Sequence, residues 1–249
     1  FENAKLGVLT GSEYDRQTQV IFPNSEMFQY YDFIDLLLSL ETDKIDGFLT
    51  DSAFYSAIGW EREGYKAIQS DKTTPVNYAF LFSESEMAKK ILPELDAFIT
   101  QMKSSGRLAQ LVEKWFSGKK PTEFEDYSTL TGENGTICVA LSDSDIPFSY
   151  ISENKAKGFD VEIMIAFARE YGYKLEFKDV DFGAKLAGIE TNKYDVGIGD
   201  ITVTDERREE MNFRYYDDLR MEETYGPAFG RLADDAVEHI KMLRQILKR

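Results

Sequence analysis

A single stretch of this sequence is written twice. Residues 32–51, DFIDLLLSLETDKIDGFLTD, align without a gap to residues 181–200, DFGAKLAGIETNKYDVGIGD, and eight of the twenty positions are identical. In the first copy Phe33, Leu36, Leu37 and Leu40 recur at the spacing of one helix face. In the second, Phe182, Leu186 and Ile189 do the same. After each helix a Lys-x-Asp turn leads into a short apolar run, GFLT or VGIG, that reads as a buried strand. Helix–strand units of this kind build any α/β protein, so convergence is one explanation. A match that includes polar positions favours two related lobes.

Strand and helix signals alternate along the rest of the chain, the pattern of an α/β fold with mostly parallel sheets. KLGVLTG is a strand ending at Gly11, and Ser12 stands at a helix start. VNYAFLF (76–82) is a further strand. SESEMAKKILPELDAFITQMKSSG is helical, with Pro93 expected to kink or break it. RLAQLVEKWFSG puts Leu108, Leu111, Val112 and Trp115 on one helix face. Residues 119–135 are polar, contain Pro121, Gly132 and Gly135, and lack apolar periodicity, so they read as a linker. A new unit follows: strand 137–141, loop 142–150, helix 159–171 and strand KLEFKDV. TDERREEMNF reads as a short helix capped by Thr204, and the chain's last residues form an amphipathic helix.

The chain has 249 residues, room for one large domain or two lobes. Its formal net charge of −16 argues against a nucleic-acid partner, whose binding needs clustered Lys and Arg. The chain opens on Phe1 with no leader pattern, which reads as a processed or trimmed product. The single cysteine, Cys138, sits in an apolar run and reads as core packing. The one histidine, His239, lies in the polar-rich terminal helix and reads as a surface residue. No nucleophile elbow, phosphate loop or metal-ligand spacing is present, so neither cofactor nor metal is expected. SDSD (142–145) lacks the glycine and distal glutamate of a calcium loop and reads as a loop or helix-cap feature, with ligand contact as the second reading. Catalysis by a pair of carboxylates remains open at this level. TVTDERREE sets Thr202 and Thr204 just before Arg207, and an arginine fork beside a helix start is a good carboxylate receptor, although a surface salt bridge is the commoner role of such a segment.

Several motifs together resemble bacterial extracellular solute-binding proteins, family 3, the two-lobed periplasmic amino-acid-binding proteins of ABC importers. DSDIPFSYISENKAKGFDVEIMIAFAREYGYKLEF is similar to the opening of that family, and VDFGAKLAGIETNKYDVGIGDITVTDERREEMNF to the stretch after it. LGVLTGSEYD resembles the start of its second lobe, KIDGFLTD the strand that ends in a ligand-binding aspartate, and MKSSGRLAQLVEKWFSG its C-terminal helices. The resemblance runs over roughly residues 1–216, in an order that is either circularly permuted or cut from tandem modules. It implies a type II two-lobed α/β fold, each lobe a mostly parallel sheet flanked by helices. The segments it implies are a second-lobe piece (1–74), a returning strand and helices packing on the first lobe (75–118), the linker (119–135), a first-lobe piece (136–216), and a crossing segment with a tail helix (217–249).

The same resemblance implies a non-enzymatic, extracytoplasmic protein that closes on a free amino acid. Its partner would be an ABC permease or a fused membrane domain. The alternative role is the sensory ectodomain of a kinase or cyclase receptor, and an enzyme on this scaffold is a third. By position, Arg207 and Thr202 would hold the ligand carboxylate, with Ser12 facing them beside Gly11. Asp51 would take the ammonium, and Phe182 would stack on the aliphatic part. Gly199 and Asp200 lie in the strand end that carries Thr202. Asp145, Asp200 and Glu13 are carboxylates that depart from the family pattern. They point to a cationic or polar ligand side chain, or to a site whose ligand has changed.

Overall fold

In the computed structural model, residues 3–50, 54, 57, 78–117, 119–204 and 212–215 are described. Two sheets form the frame. The first holds β1 (Lys5–Leu9), β2 (Glu26–Tyr30) and β3 (Gly47–Phe48), all parallel, in the order β2-β1-β3. Helix α1 (Glu13–Ile21) connects β1 to β2, and α2 (Phe33–Glu41) connects β2 to β3. Leu36 and Leu37 of α2 pack with Ile45 and Phe48 into a small core of their own.

The second sheet has five strands. Among them are β4 (Ala79–Phe82), β5 (Thr136–Leu141), β9 (Lys174–Asp179), β10 (Val196–Gly197) and β11 (Asn212–Tyr215), ordered β11-β4-β10-β5-β9. The strands β9, β5 and β10 run parallel and repeat the 2-1-3 arrangement of the first sheet. Helix α5 (Phe159–Tyr171) joins β5 to β9, and α6 (Phe182–Glu190) joins β9 to β10. Strand β4 enters antiparallel between β10 and β11. A small antiparallel sheet of β6 (Ser144–Asp145), β7 (Ser149–Ser152) and β8 (Lys155–Lys157) fills the β5–α5 connection. The sequence reads that connection as loop from 142 to 150, and the structure corrects it: SDSD and FSYIS pair across a tight turn.

The polar identities of the repeated segment now have jobs. Asp32 and Asp181 are N-caps of α2 and α6, accepting from Ile34 and Asp35 in one and Ala184 in the other. Thr42 and Thr191 close the same helices by donating back to Leu38 O (2.8 Å) and Ala187 O (2.7 Å). Asp46 and Asp195 clamp the central strand of each parallel trio, β1 and β5. Asp46 accepts from Lys5 N at 2.9 Å and Asp195 from Cys138 N at 2.8 Å. Caps and clamps of this type contribute about 1 kcal/mol each. The repetition therefore reaches hydrogen bonds as well as apolar spacing.

Both faces of the larger sheet are covered. Helices α3 (Glu86–Ser104), α4 (Arg107–Phe116) and α5 bury Phe98, Trp115, Phe116 and Phe167 against one face. Helix α6 covers the other with Phe182 and Ile189, beside which Tyr194 also packs. Of the kink or break expected at Pro93, the break is absent: α3 runs through it from Glu86 to Ser104. The proline removes one backbone donor, but Ala88, Ile91, Leu95, Phe98, Ile99 and Met102 bury a continuous stripe on either side of it. Residues 119–135 contain no helix or strand, yet they are tied down. The Phe124 ring lies 6.0 Å from Trp115, and Tyr127 lies edge-on to Phe177 at 5.1 Å. Arg169 donates to Glu125 (2.8 Å) and to Asp126 O (2.9 Å). The helix expected at 204–213 and the terminal helix lie outside the described residues, apart from Thr204 and the two positions of β11 at 212–213.

Candidate functional site

In parallel α/β sheets, ligands bind beyond the carboxyl ends of the strands, where loops and helix N-termini converge. Here the carboxyl ends of both sheets face one crevice. A cavity of about 270 Å³ is walled on one side by Leu9, Tyr31, Asp32 and Phe33, which follow β1 and β2. The other wall is 142–145, after β5, and 179–182, after β9. A smaller space of about 40 Å³ adjoins it, lined by Ser12, Glu13, Tyr14, Thr50, Phe182, Asp200 and Thr202 among others. Leu9, Phe33, Ser144, Asp145 and Phe182 line both.

Phe33 and Phe182 occupy the same position in the two copies of the repeat. They reach the crevice from opposite sheets, each at the first position of its helix. Sequence reasoning singled out Phe182 alone, although applying the repeat offset to it gives Phe33 directly. Asp32 and Asp181 are a second such pair. Tyr14 from α1 meets Tyr78, at the entry to β4, through their hydroxyls at 3.1 Å. Tyr78 in turn bridges Thr202. The two halves are thus joined by a hydroxyl pair next to the smaller space.

Of the residues expected in the site, Ser12, Glu13, Phe182, Asp145, Asp200 and Thr202 are brought around the smaller space. Gly11 adjoins Ser12 in the β1–α1 turn, where its N–H donates to Asp15 at 3.3 Å. Gly199 precedes Asp200, and both have positive φ, 89° and 51°. Arg207 and Asp51 lie outside the described residues. Ser12 caps α1, its hydroxyl accepting from Asp15 N. Glu13 is engaged within its own helix by Arg16 and Gln17. Asp145 pairs with the buried Lys185 ammonium at 2.8 Å. Burial pushes the Asp145 carboxyl up, and that ammonium opposes the push.

Asp143 has a different environment. Partial burial raises its carboxyl above the usual range, and the like charges of Asp179, Asp32 and Asp145 raise it further. A group whose folded pKa is raised favours folding while protonated, and that contribution is lost as pH climbs through the folded value. Ionised Asp143 therefore opposes the folded state at neutral pH. Asp143→Asn is expected to raise the melting temperature at pH 7 by no more than about 2–4 °C. The gain should shrink as pH falls toward the ordinary carboxylate range, near 3.8. Paired calorimetric melts at several pH values check this, and a gain that grows on acidification would contradict it.

Among the described residues there is no group of three or more His, Cys, Asp or Glu able to hold a metal, and no helix long and apolar enough to cross a membrane. The arrangement suits a small polar ligand: hydroxyls, helix N-termini and carboxylates at the rim, with an aromatic ring from each half.

Residues 137–221 match the family described as bacterial extracellular solute-binding proteins, family 3. The chain is 35% identical over 86 residues to the probable amino-acid-binding protein YxeM of Bacillus subtilis, covering 34% of this chain and 33% of that protein. It is 33% identical over 67 residues to the arginine-binding extracellular protein ArtP of the same organism, covering 27% and 26%. Against the L-cystine-binding protein TcyJ of Escherichia coli it is 32% identical over 100 residues, covering 39% and 38%. These matches thus span between about a quarter and two fifths of the relatives' lengths.

Proposed function

We propose that the chain is a member of the bacterial extracellular solute-binding proteins, family 3, whose pattern residues 137–221 match, and that it captures a free amino acid between its two sheets, outside the cytoplasm, and delivers it to an ABC importer. The observation that carries this reading is the crevice itself: carboxyl strand ends of both sheets line one pair of connected cavities.

A zwitterion leaving water needs both charges met, because an unpaired buried charge is costly. In this reading Arg207 and Thr202 receive the carboxylate, with the Ser12 turn opposite. Asp51 receives the ammonium, and Asp200 stands at the same position of the second copy. Phe182 and Phe33 sandwich the aliphatic part. Charge-assisted hydrogen bonds of this kind contribute roughly 1.5–3 kcal/mol each.

The ligand side chain then points into the larger cavity, among Asp32, Asp143, Asp179 and Asp181. A cationic side chain suits that wall. Ionised Asp143 is disfavoured by partial burial and then by its acidic neighbours, and an incoming cation relieves the repulsion.

The test is a melting screen of ligand-stripped, refolded protein against the twenty amino acids and ornithine. A ligand at about 1,000 times its dissociation constant adds roughly 4 kcal/mol, a shift of order 10 °C for a chain of this size. The expected result is a large shift with lysine, arginine or ornithine that disappears in Arg207→Ala and in Asp51→Ala. A cooperative melt with no shift for any amino acid would remove the reading. A shift confined to neutral ligands would remove its cationic part.

A further inference from the structure

Helix α6 carries a lysine where its pattern calls for an apolar residue. Phe182, Leu186 and Ile189 mark the inward face of α6, and position 185 falls on that face. In the first copy of the repeat the equivalent position is Leu36, a core residue 2% exposed. Lys185 is 0% exposed. Burying an ammonium is expensive unless every proton finds an acceptor, and here each does. Nζ donates to Asp145 Oδ2 at 2.8 Å, to Ile198 O at 2.9 Å and to Gly199 O at 3.2 Å.

Two of these acceptors belong to the turn that follows β10 and leads to Asp200 and Thr202. The same turn is held on its other side by Asp160 of α5, whose carboxylate accepts from Gly199 N at 2.9 Å. Gly199 has φ of 89°, and a Cβ there would come within 2.7 Å of Asp145 Oδ2. The third acceptor, Asp145, borders both cavities. Whichever partner holds the shared proton, the pair has no net charge.

We propose that Lys185 is a positioning and specificity residue of the cleft: it anchors the 198–200 turn beneath the ligand and removes Asp145 from the charge the ligand meets. The inference rests on the amino-acid-binding reading for its second half only. On this basis the preference for a cation comes from the Asp143 side of the cavity and not from Asp145.

Three variants separate the parts: Lys185→Met, Asp145→Asn, and the two combined. Amide exchange across 198–202 needs no ligand. It is expected to quicken by about tenfold or more in Lys185→Met and in the double variant, where the carbonyl anchors are gone. In Asp145→Asn it should stay near the wild-type rate, because the lysine still holds Ile198 and Gly199. Unchanged exchange in a folded Lys185 variant overturns the anchoring.

The charge is read from the affinity ratio of arginine to citrulline, which match in shape and differ in charge. Lys185→Met exposes a lone carboxylate and should move the ratio toward arginine by about tenfold, and Asp145→Asn should move it the opposite way. The double variant should return to the wild-type ratio. Ratios that shift in one direction for both single variants, or not at all, overturn the charge cancellation. A destabilised Lys185→Met leaves the double variant, which has no orphaned charge, and Asp145→Asn to decide. If the wild type binds neither compound and no other amino acid, the binding reading falls, while the exchange result still decides the role of Lys185.

Discussion

Replacing Gly158 with alanine is expected to lower the melting temperature by about 5–15 °C. Gly158 caps α5 with φ of 137°, a conformation closed to most L-residues. The space for a side chain is also filled by backbone. A Cβ would sit 2.6 Å from Phe148 C and 2.8 Å from Ser149 Cα, atoms that cannot swing aside. Strain of about 1–3 kcal/mol and overpacking of about 1–3 kcal/mol add. The chain must yield at 148–149, where Asp160 N and Phe159 N are bonded to Phe148 O and Pro147 O. Ser149 pairs with Asp145 in the β6–β7 ladder, so the shift propagates to the cleft wall. Gly106→Ala is the control. It also has positive φ, 78°, but nothing lies within 4 Å of its missing Cβ. Gly106 lies in the milder αL region (φ 78°, ψ 0°), so calorimetry on both variants compares open space with filled space, and a Gly158 loss no larger than the Gly106 loss would show that backbone contact adds nothing.

Trp115→Ala should cost about 3–5 kcal/mol, roughly 6–20 °C of melting temperature. Trp115 is fully buried in the main core, with Phe124 at 6.0 Å and Tyr150 edge-on at 6.1 Å. Phe124 belongs to the 119–135 connection, and Lys157 lies 4.4 Å above its ring. Loss of the indole therefore leaves a cavity and detaches an anchor of that connection. Two readings check it: chemical denaturation, and the rate at which protease cuts within 119–135, which should rise well above the wild-type rate under native conditions. Trp115→Phe, which keeps an aromatic contact, should recover most of both. A loss below about 1 kcal/mol with unchanged cutting would mean that the connection is held without Trp115.

Much of this architecture is legible in the sequence because the signals are local. The spacing of Phe159, Ile163 and Phe167 gives helix 159–171, and the structure has the same limits. Ser12 announces a helix start by its capping chemistry. What stays hidden depends on distant partners. Strand β2 is half-exposed and carries polar residues, so nothing in EMFQY marks it until β1 pairs with it. Pro93 looks like a break because propensity ignores the buried stripe around it. In the crevice, the repeat leads from Phe182 to Phe33 and from Asp181 to Asp32. Asp143 belongs to the SDSD motif that the sequence already marks, whereas Asp179 enters the crevice only through folding. Asp145 reads as a bare carboxylate in the sequence, since its partner Lys185 lies forty residues away and shows only in space, whereas the partners of Glu13, Arg16 and Gln17, stand three and four residues on along the same helix. Lys185 did leave a trace, as a charge on an apolar helix face opposite a leucine in the other copy.

Strand β4 has a consequence for what counts as a unit in this chain. It lies on the N-terminal side of the 119–135 connection, yet it supplies the strand between β10 and β11 on the other side. Helices α3 and α4 follow it and share one core with α5. The sequence boundary and the physical seam therefore fall in different places. A piece ending before 119 would carry an orphan strand and two helices with an uncovered apolar stripe. The complementary piece would expose the edges of β10 and β11, which invite pairing with other chains. Shuffling, fusion or truncation at the apparent linker would divide an interlocked body, and a workable junction must respect the sheet instead of the text.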